Sequence, residues 1–155
     1  MKIKKLQNIV YMIIFFLFAS QAWAEEWVLY STCNEGEMYY DKSSVIKVNK
    51  NIINVRTKTI LNEKGRTEAF SILKKMGIAP CNPAKVSHEM TLEQYDCVNK
   101  KYKNYSTTIY DKKNSVLVSQ NAIGNKWNDI RSDSIVGKLK NIVCSANKIS
   151  NVEKK

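Results

Sequence analysis

Four cysteines have the clearest capacity for chemistry in this chain, and their spacing limits what that chemistry can be. They stand at positions 33, 81, 97 and 144, so the gaps are 48, 16 and 47. Zinc sites usually take paired ligands two to four residues apart. Thiol exchange and haem attachment use Cys-x-x-Cys, which the sequence lacks. An even number of cysteines in an exported chain is typical of disulfides. We therefore expect two disulfides, with no metal site and no catalytic thiol.

Four cysteines allow three pairings, and we favour Cys97–Cys144 together with Cys33–Cys81. Each bond would close a loop of nearly fifty residues. Constraining the unfolded chain in this way stabilises a fold by about 4 kcal/mol. That is comparable to much of the net stability of a small domain. We therefore expect reduction to unfold or loosen the protein.

The other groups that could perform catalysis form no recognisable motif. His88 is the single histidine, and we expect a surface or edge histidine rather than a general base. The Gly-x-Ser-x-Gly nucleophile motif and the glycine-rich nucleotide-binding patterns are absent from the sequence. In the carboxylate pairs Glu89/Glu93 and Asp129/Asp133, one member could act as a general acid and the other as a general base only if the two lay in different environments. We interpret them as solvated surface charge, so the sequence indicates neither an enzyme nor a cofactor.

An excess of lysine is the feature that could bind a ligand. The chain has 25 basic and 14 acidic residues and a net charge of +11, and the segment "NKKYKNY" (99–105) interleaves lysine with tyrosine. A surface of cations and rings binds polyanions, because lysines neutralise charge and rings stack. In the alternative interpretation, the lysines reflect an A/T-rich gene or protect sheet edges from aggregation. The candidate residues for an anionic ligand are Lys100, Lys101, Lys103, Lys112 and Lys113.

The N-terminus reads as a secretory signal. A basic start, an apolar run over 9–19 and the triplet Ala22-Trp23-Ala24 match its three parts, whereas a membrane span needs about 20 apolar residues. We expect cleavage after Ala24, which leaves a net charge of +8 because three lysines leave. The expected organisation is a signal peptide at 1–24, one domain at 25–146 and a flexible basic tail at 147–155. No lipid-attachment cysteine and no membrane span are expected in the mature chain.

Hydrophobic periodicity predicts an α+β fold, an antiparallel sheet of about six strands. "WVLYSTC" and "EMYYD" form a predicted hairpin, and a second hairpin turns at 112–114. The strand "IINVRTKTIL" alternates, with Ile53, Val55, Thr57, Thr59 and Leu61 on one face. In "HEMTLEQYDC" the apolar residues change face, which suggests a bulge near Glu93. Trp27 and Trp127 are interpreted as core residues rather than ligand platforms.

Two helices are predicted. After a turn at "NEKGR", residues 67–77 have helical spacing, and Gly77 closes the helix. Residues 132–144 are amphipathic, and Ser132 or Ser134 would cap the start. Cys144 would lie about 140° from the centre of the apolar stripe, at 100° per residue. We therefore expect this helix to end before Cys144 rather than to pack on two sides.

The order of these landmarks resembles the surface-adhesin protein E-like family of small exported domains in Gram-negative bacteria. The matching features are the Trp27 strand, "YYDKSSV", Tyr-Asp-Cys at 95–97, "YDKKNSVLVS", Trp127 and a C-terminal helix with Cys144. The resemblance implies an antiparallel sheet to which a C-terminal helix is tied by a disulfide, in agreement with Cys97–Cys144. Here Asp111-Lys-Lys-Asn114 replaces the family's Asp-x-x-Gly, and Asn also tolerates positive φ. Cys33 and Cys81 are not part of the pattern.

The resemblance also implies adhesion, since the family is named for an adhesin of host matrix and plasma proteins. Our leading hypothesis is a non-catalytic exported domain that binds a protein or acidic glycan through a basic sheet surface. The alternative is a periplasmic structural or accessory protein that partners cell-envelope components. Nucleic acid could bind to the lysines, but we do not expect it as a partner in the compartment of an exported protein. Localisation is expected in the periplasm, at the cell surface or in the medium.

Overall fold

A computed structural model describes residues 25–121 and 126–149, with side chains to Ser145. The strands run antiparallel in the order β1-β2-β4-β5-β6-β7, while β3 pairs with β4 and β8 with β6. The expected signal peptide and most of the expected tail lie outside the described residues. The strands are β1 Trp27–Cys33, β2 Gly36–Asp41, β3 Ile46–Lys47, β4 Ile52–Leu61, β5 Val86–Asp96, β6 Lys101–Asp111, β7 Val116–Asn121 and β8 Asn128–Asp129. The helices are α1 Glu63–Lys75 and α2 Ile135–Ile149.

The central strand β4 decides where both helices pack. Its alternation is the predicted one, because Ile53, Val55, Thr57, Thr59 and Leu61 are all buried. These side chains share one face of the sheet, since successive residues of a strand point to opposite sides. Both helices lie against this side, which we call the helix face. The opposite side of the sheet is called the open face.

One hydrophobic core lies between α2 and one end of the sheet. Its fully buried members come from β1, β2, β4, β5 and α2, and Cys97 and Tyr102 pack at its margin. A hydroxyl cap starts α2 as predicted, since the Ser134 Oγ accepts a hydrogen bond from the Gly137 amide at 3.0 Å. The buried set is Tyr30, Tyr40, Ile53, Val55, Tyr95, Leu139 and Val143.

A second core lies at the other end of the helix face, under α1. This helix begins four residues before the predicted Thr67, so the interpretation of "NEKGR" as a turn is wrong. The Asn62 side chain caps it by accepting from the Gly65 amide at 3.0 Å. Gly65 permits a close approach, because a Cβ there would lie 2.2 Å from the Glu35 carbonyl oxygen. Gly77 follows the helix with φ 72°, as predicted for a C-terminal glycine. The buried set is Leu61, Ala69, Leu73, Val86 and Ile109.

A disulfide between Cys97 and Cys144 ties α2 to the sheet, as the family resemblance implied. The Cα atoms are 5.8 Å apart, within the usual range for this bond. The expectation that α2 ends before Cys144 is wrong, because the helix continues to Ile149. Leu139 and Val143 are its most deeply buried side chains. The buried stripe of α2 is therefore rotated toward Cys144. Cys144 lies about 100° around the helix from Val143, so its sulfur is at the margin of the stripe.

The second favoured disulfide, Cys33–Cys81, is wrong in this structure, where both residues are free thiols. Cys33 ends β1, whereas Cys81 lies in the loop before β5, with its sulfur 3.5 Å from the Lys85 Nζ. Strands β1 and β5 are three positions apart in the sheet. At about 4.8 Å per strand, β1 and β5 are about 14 Å apart, so the sheet does not place Cys33 beside the strand that follows Cys81.

The bulge near Glu93 is confirmed in position, because the β5–β6 register shifts between Leu92 and Glu93. The extra residue belongs to β6, where Tyr105 lies between the partners of those two residues. Strand β5 itself keeps a regular register with β4 from His88 to Asp96. The apolar residues of β5 change face because Leu92 points to the open face and Tyr95 to the helix face.

We expect the two cysteine pairs to differ sharply in their effect on stability. Replacing Cys97 and Cys144 with serine removes a bond that closes a loop with a sequence separation of 47, at a cost of about 4 kcal/mol. Replacing Cys33 and Cys81 removes no bond. Urea unfolding of the two double variants without reductant measures the difference. Equal losses of stability in the two double variants would contradict this pairing. An intact mass four hydrogens below that of the reduced chain, instead of two, would also contradict it.

Candidate functional site

The open face is the broad surface from which an extended site could be built. Both described helices pack on the other side, so its residues meet solvent or one another. On β4 it presents Arg56 and Lys58, and Leu29 and Ile60 are exposed beside them. The remaining strands add rings, methionine and leucine side chains, and amides. This mixture of cations, rings and apolar groups distinguishes the open face from the helix face.

At one edge of the open face, Lys58 and Trp27 form a cation–π pair. The Lys58 Nζ lies 4.0 Å from the centre of the indole ring, within the distance over which such pairs attract. Trp27 is only half-buried and belongs to neither core. The expectation that it is a core residue is therefore wrong, because its strand position points it to the open face.

A buried carboxylate fixes the arginine beside this pair. Asp41 is fully buried, and its Oδ2 accepts a hydrogen bond from the Arg56 guanidinium at 2.5 Å. Burial raises the pKa of Asp41, but hydrogen bonds from Ser43 and Arg56 outweigh it and lower the pKa below its usual value. Glu25 also pairs with Arg56 at 3.3 Å. Arg56 is therefore held in place, and its charge is partly balanced.

A second cation–ring group lies on β6, toward the α2 end of the sheet. The Lys103 Nζ is 4.8 Å from the centre of the Trp127 ring and 5.9 Å from that of Tyr105. Lys103 is only 8% exposed because these neighbours cover it. Trp127 is half-exposed and lies in neither core, so the core interpretation is wrong for this tryptophan too.

The five candidate lysines do not form one surface. Lys101 and Lys103 share the open face, where Lys101 also pairs with Asp129 at 3.7 Å. Lys100 has φ 53° and instead lines a cavity of about 230 Å³ beside α2. Lys112 and Lys113 lie in the turn after β6, eleven and twelve residues after Lys101, a distance of about 36 Å or more along a strand. Tyr102 of the interleaved segment packs against the core on the helix face.

His88 lies inside the sheet and not at its surface or edge, so that expectation is wrong. It is 8% exposed, and its ring stacks on that of Tyr110 with the centres 4.8 Å apart. Burial, and then the nearby Lys58 charge, lower the pKa of His88. The neutral ring is therefore favoured, and it acts as a flat apolar surface between Lys58 and β6.

The helix face holds two carboxylates that the sequence interpretation placed wrongly. Glu89 and Glu93 point into the gap between the two cores, on the same side as Tyr95. Burial raises the pKa of both, and the Glu89 charge raises that of Glu93 further. Glu93 accepts hydrogen bonds from the Tyr95 hydroxyl and from the Thr57 Oγ1. The alternation of residues 89, 91, 93 and 95 was the signal that could have identified them.

A cavity of about 240 Å³ opens between α1 and the part of the sheet that carries Glu89. Glu35, Glu68 and Glu89 line it together with Cys33 and apolar side chains of both elements. Within residues 25–121 and 126–149, no three histidine, cysteine or acidic side chains are placed to hold a metal ion. None of the helices in that part of the chain is long and apolar enough to cross a bilayer.

We expect Glu93 to make stability depend on pH. Its pKa is raised in the folded state, so the folded protein binds the proton more tightly than the unfolded chain. The contribution of Glu93 is then fully present at low pH and is lost as pH rises above about 4.5 and through the folded pKa. Urea unfolding at pH 4 to 8 measures the free energy of unfolding of wild type and E93Q. Wild type should lose stability relative to E93Q as pH rises.

The exposed Glu63 provides the matched control, because E63Q removes the same charge without a buried partner. His88 titrates in the opposite sense, but it is present in every variant and cancels in the difference. The placement of Glu93 would be contradicted if the difference in stability between wild type and E93Q did not change with pH. It would also be contradicted if this difference equalled that between wild type and E63Q.

Comparison with known proteins agrees with the fold. The family described as surface-adhesin protein E matches residues 27–145. The structure of Haemophilus influenzae protein E is similar with a TM-score of 0.51 and 15% identity, over 77% of this chain and 84% of that one. Protein E from non-typeable Haemophilus influenzae gives 0.50 and 13%, over 77% and 75%. Comparison with curated protein sequences gave no match. The family match spans the sheet, α1, most of α2 and the Cys97–Cys144 bond, and this chain belongs to the surface-adhesin protein E family.

Proposed function

We propose that this chain is an exported, non-catalytic adhesion domain that binds an acidic protein or glycan through the open face of its sheet. Membership of an adhesin family supports an exported or surface protein. The observation that carries the choice of surface is the pairing of cations with rings on the open face. Lys58 on Trp27 and Lys103 between Trp127 and Tyr105 are two such groups.

These groups suit an acidic partner because each combines charge with a rigid flat surface. Tryptophan, tyrosine and arginine are enriched among the residues that dominate binding energies at protein interfaces. The two aromatic residues bury large areas with few rotatable bonds. A lysine over an indole ring is partly ordered before binding, which reduces the entropy lost when a ligand carboxylate or sulfate docks. Trp27 lies on β1 and Lys103 on β6, four positions away in the sheet, so a ligand that touches both must be extended.

The open face carries the cations that an anionic ligand could meet. Arg56, Lys58, Lys101 and Lys103 lie there, with Asp41 and Glu25 against Arg56 and Asp129 against Lys101. The choice of surface therefore rests chiefly on Lys58, which lies over the Trp27 ring. Across the sheet, Glu89 and Glu93 lie half-buried between the cores, and Glu35 and Glu68 line the neighbouring cavity, so that side is less suitable for an anionic ligand.

Adhesion requires export, and the predicted signal at residues 1–24 supplies it in this proposal. These residues lie outside the described part of the chain. Mass spectrometry of the protein from the native cells should give a mature chain that begins at Glu25. Recovery on the cell surface or in the medium supports adhesion. Recovery only in the periplasm contradicts it and favours a structural or accessory role with envelope partners.

We expect K58Q/K101Q to weaken binding to an acidic glycan, with heparin as the probe. Each lysine that contacts an anionic site contributes to both affinity and salt dependence. The variant should therefore elute from heparin at lower salt, and the slope of log affinity against log salt should become shallower. Lys103 is left in place because its removal would disturb Trp127. A decellularised host matrix layer, measured in parallel, tests a protein partner.

The matched control is K47Q/K138Q, which removes the same charge from two exposed lysines away from the open face. Circular dichroism and urea unfolding confirm that both variants are folded. An equal shift in the two variants would show that only net charge matters. Unchanged retention of K58Q/K101Q on heparin and on the matrix layer would overturn the choice of the open face.

A further inference from the structure

Five exposed lysines gather at the end of the sheet where α1 finishes, β5 begins and β6 turns into β7. The segments 74–87 and 110–121 contain these five lysines and a single acidic residue, Asp111. We name this end of the molecule the basic tip. Its lysines are Lys74, Lys75, Lys85, Lys112 and Lys113.

Specific contacts hold the parts of the basic tip together. The Lys112 amide donates to the Lys85 carbonyl at 3.2 Å, which joins the β6–β7 turn to the segment before β5. The Gln120 Nε2 donates to the Met76 sulfur at 3.6 Å, which joins β7 to the end of α1. Ala79 and Leu117 pack against the same hydrophobic core. The lysines therefore project from one assembled part of the fold.

The charge of the basic tip is not balanced by its own acidic residue. The Asp111 Oδ1 accepts hydrogen bonds from the Lys113 and Ser115 amides, both at 2.8 Å, so this carboxylate stabilises the turn. Among the described residues, the recorded ion pairs include none of the five lysines. Lys74 and Lys75 also lie in the last turn of α1, where the helix dipole favours cations.

Large apolar side chains are exposed among these lysines. Met76 is 39% exposed, Ile78 43% and Val116 57%. Met76 follows the last residue of α1, Ile78 lies two residues later, and Val116 starts β7 after the lysine turn. Apolar groups that are exposed together and surrounded by polar residues commonly mark a docking surface.

We propose that the basic tip docks on the surface of an anionic lipid bilayer. The five lysines contact headgroup phosphates, and Met76, Ile78 and Val116 enter the boundary between headgroups and acyl chains. Cations and apolar groups on one face together favour a bilayer surface. A soluble polyanion would use the lysines alone and gain nothing from the three apolar side chains. Charge complementarity and the exposed apolar groups therefore both favour a bilayer.

This inference goes beyond the proposed adhesion through the open face. The basic tip lies at the end of the strands, whereas the open face is the broad side of the sheet. Docking at the tip therefore leaves Trp27, Lys58 and Trp127 accessible to a second partner. The two surfaces also share no lysine, so each can be removed without changing the other.

The test is co-sedimentation of residues 25–155, which include all described elements, with vesicles of phosphatidylglycerol and phosphatidylcholine. Vesicles of phosphatidylcholine alone serve as the neutral reference. We expect binding to the anionic vesicles at low salt. K85Q/K112Q/K113Q should reduce it on the order of 100-fold, since each lysine near such a surface contributes about five-fold. The control K47Q/K50Q/K138Q removes the same charge elsewhere and should reduce it far less.

A second variant separates a bilayer from a soluble polyanion. I78S/V116S should weaken binding to anionic vesicles several-fold while leaving retention on heparin unchanged. Circular dichroism checks that each variant is folded. Absence of binding to anionic vesicles, equal losses in the two triple variants, or no effect of I78S/V116S on vesicle binding would overturn the proposal. Loss of vesicle binding in K85Q/K112Q/K113Q with unchanged heparin retention in K58Q/K101Q would leave the tip proposal supported and the open-face proposal rejected.

Discussion

The alternation of β4 is the constraint on which the rest of this structure depends. Ile53 and Val55 meet α2, and Leu61 meets the core beneath α1, so all three lie on one side of the sheet. A strand has a period of two, so a slip of one residue would reverse every side chain. Both helices are therefore confined to one side. The open face remains uncovered by either helix because the β4 residues that contact the helices point to the other side.

The division into two cores explains the polar groups that lie between them. Thr57 and Thr59 lie on β4 between Val55 of one core and Leu61 of the other, and both are buried. Their neighbours on β5 include Glu89 and Glu93, whose pKa values are raised by burial. Glu93 is stabilised there by hydrogen bonds from Tyr95 and Thr57. The Cys97–Cys144 bond then holds α2 on this face, away from the surface proposed to bind ligand.

Much of this fold could be predicted from periodicity, whereas the contacts between distant elements could not. The β4 alternation, the lysine turn at 112–114 and the glycine after α1 are local signals, and the structure has each of them. The Cys33–Cys81 pairing failed because it depends on strand order, and β1, which ends at Cys33, is three positions from β5, the strand that follows Cys81. The start of α1 was missed because Gly65 suits a turn as well as a close contact with Glu35. Trp27 and Trp127 were misplaced because large rings usually lie in cores. Here the strand position of Trp27 and the contact of Trp127 with Lys103 place both rings at the open face.

The most direct test of the account is to find which side of the sheet a bound ligand covers. Hydroxyl-radical footprinting of residues 25–155, with and without heparin and with and without a decellularised matrix layer, measures the protection of each side chain. The account predicts protection of Trp27, Tyr105 and Trp127 on the open face, while Phe70 of α1, on the helix face, is unchanged. Protection confined to α1 and α2, with the two tryptophans as reactive as in the unbound protein, would contradict it.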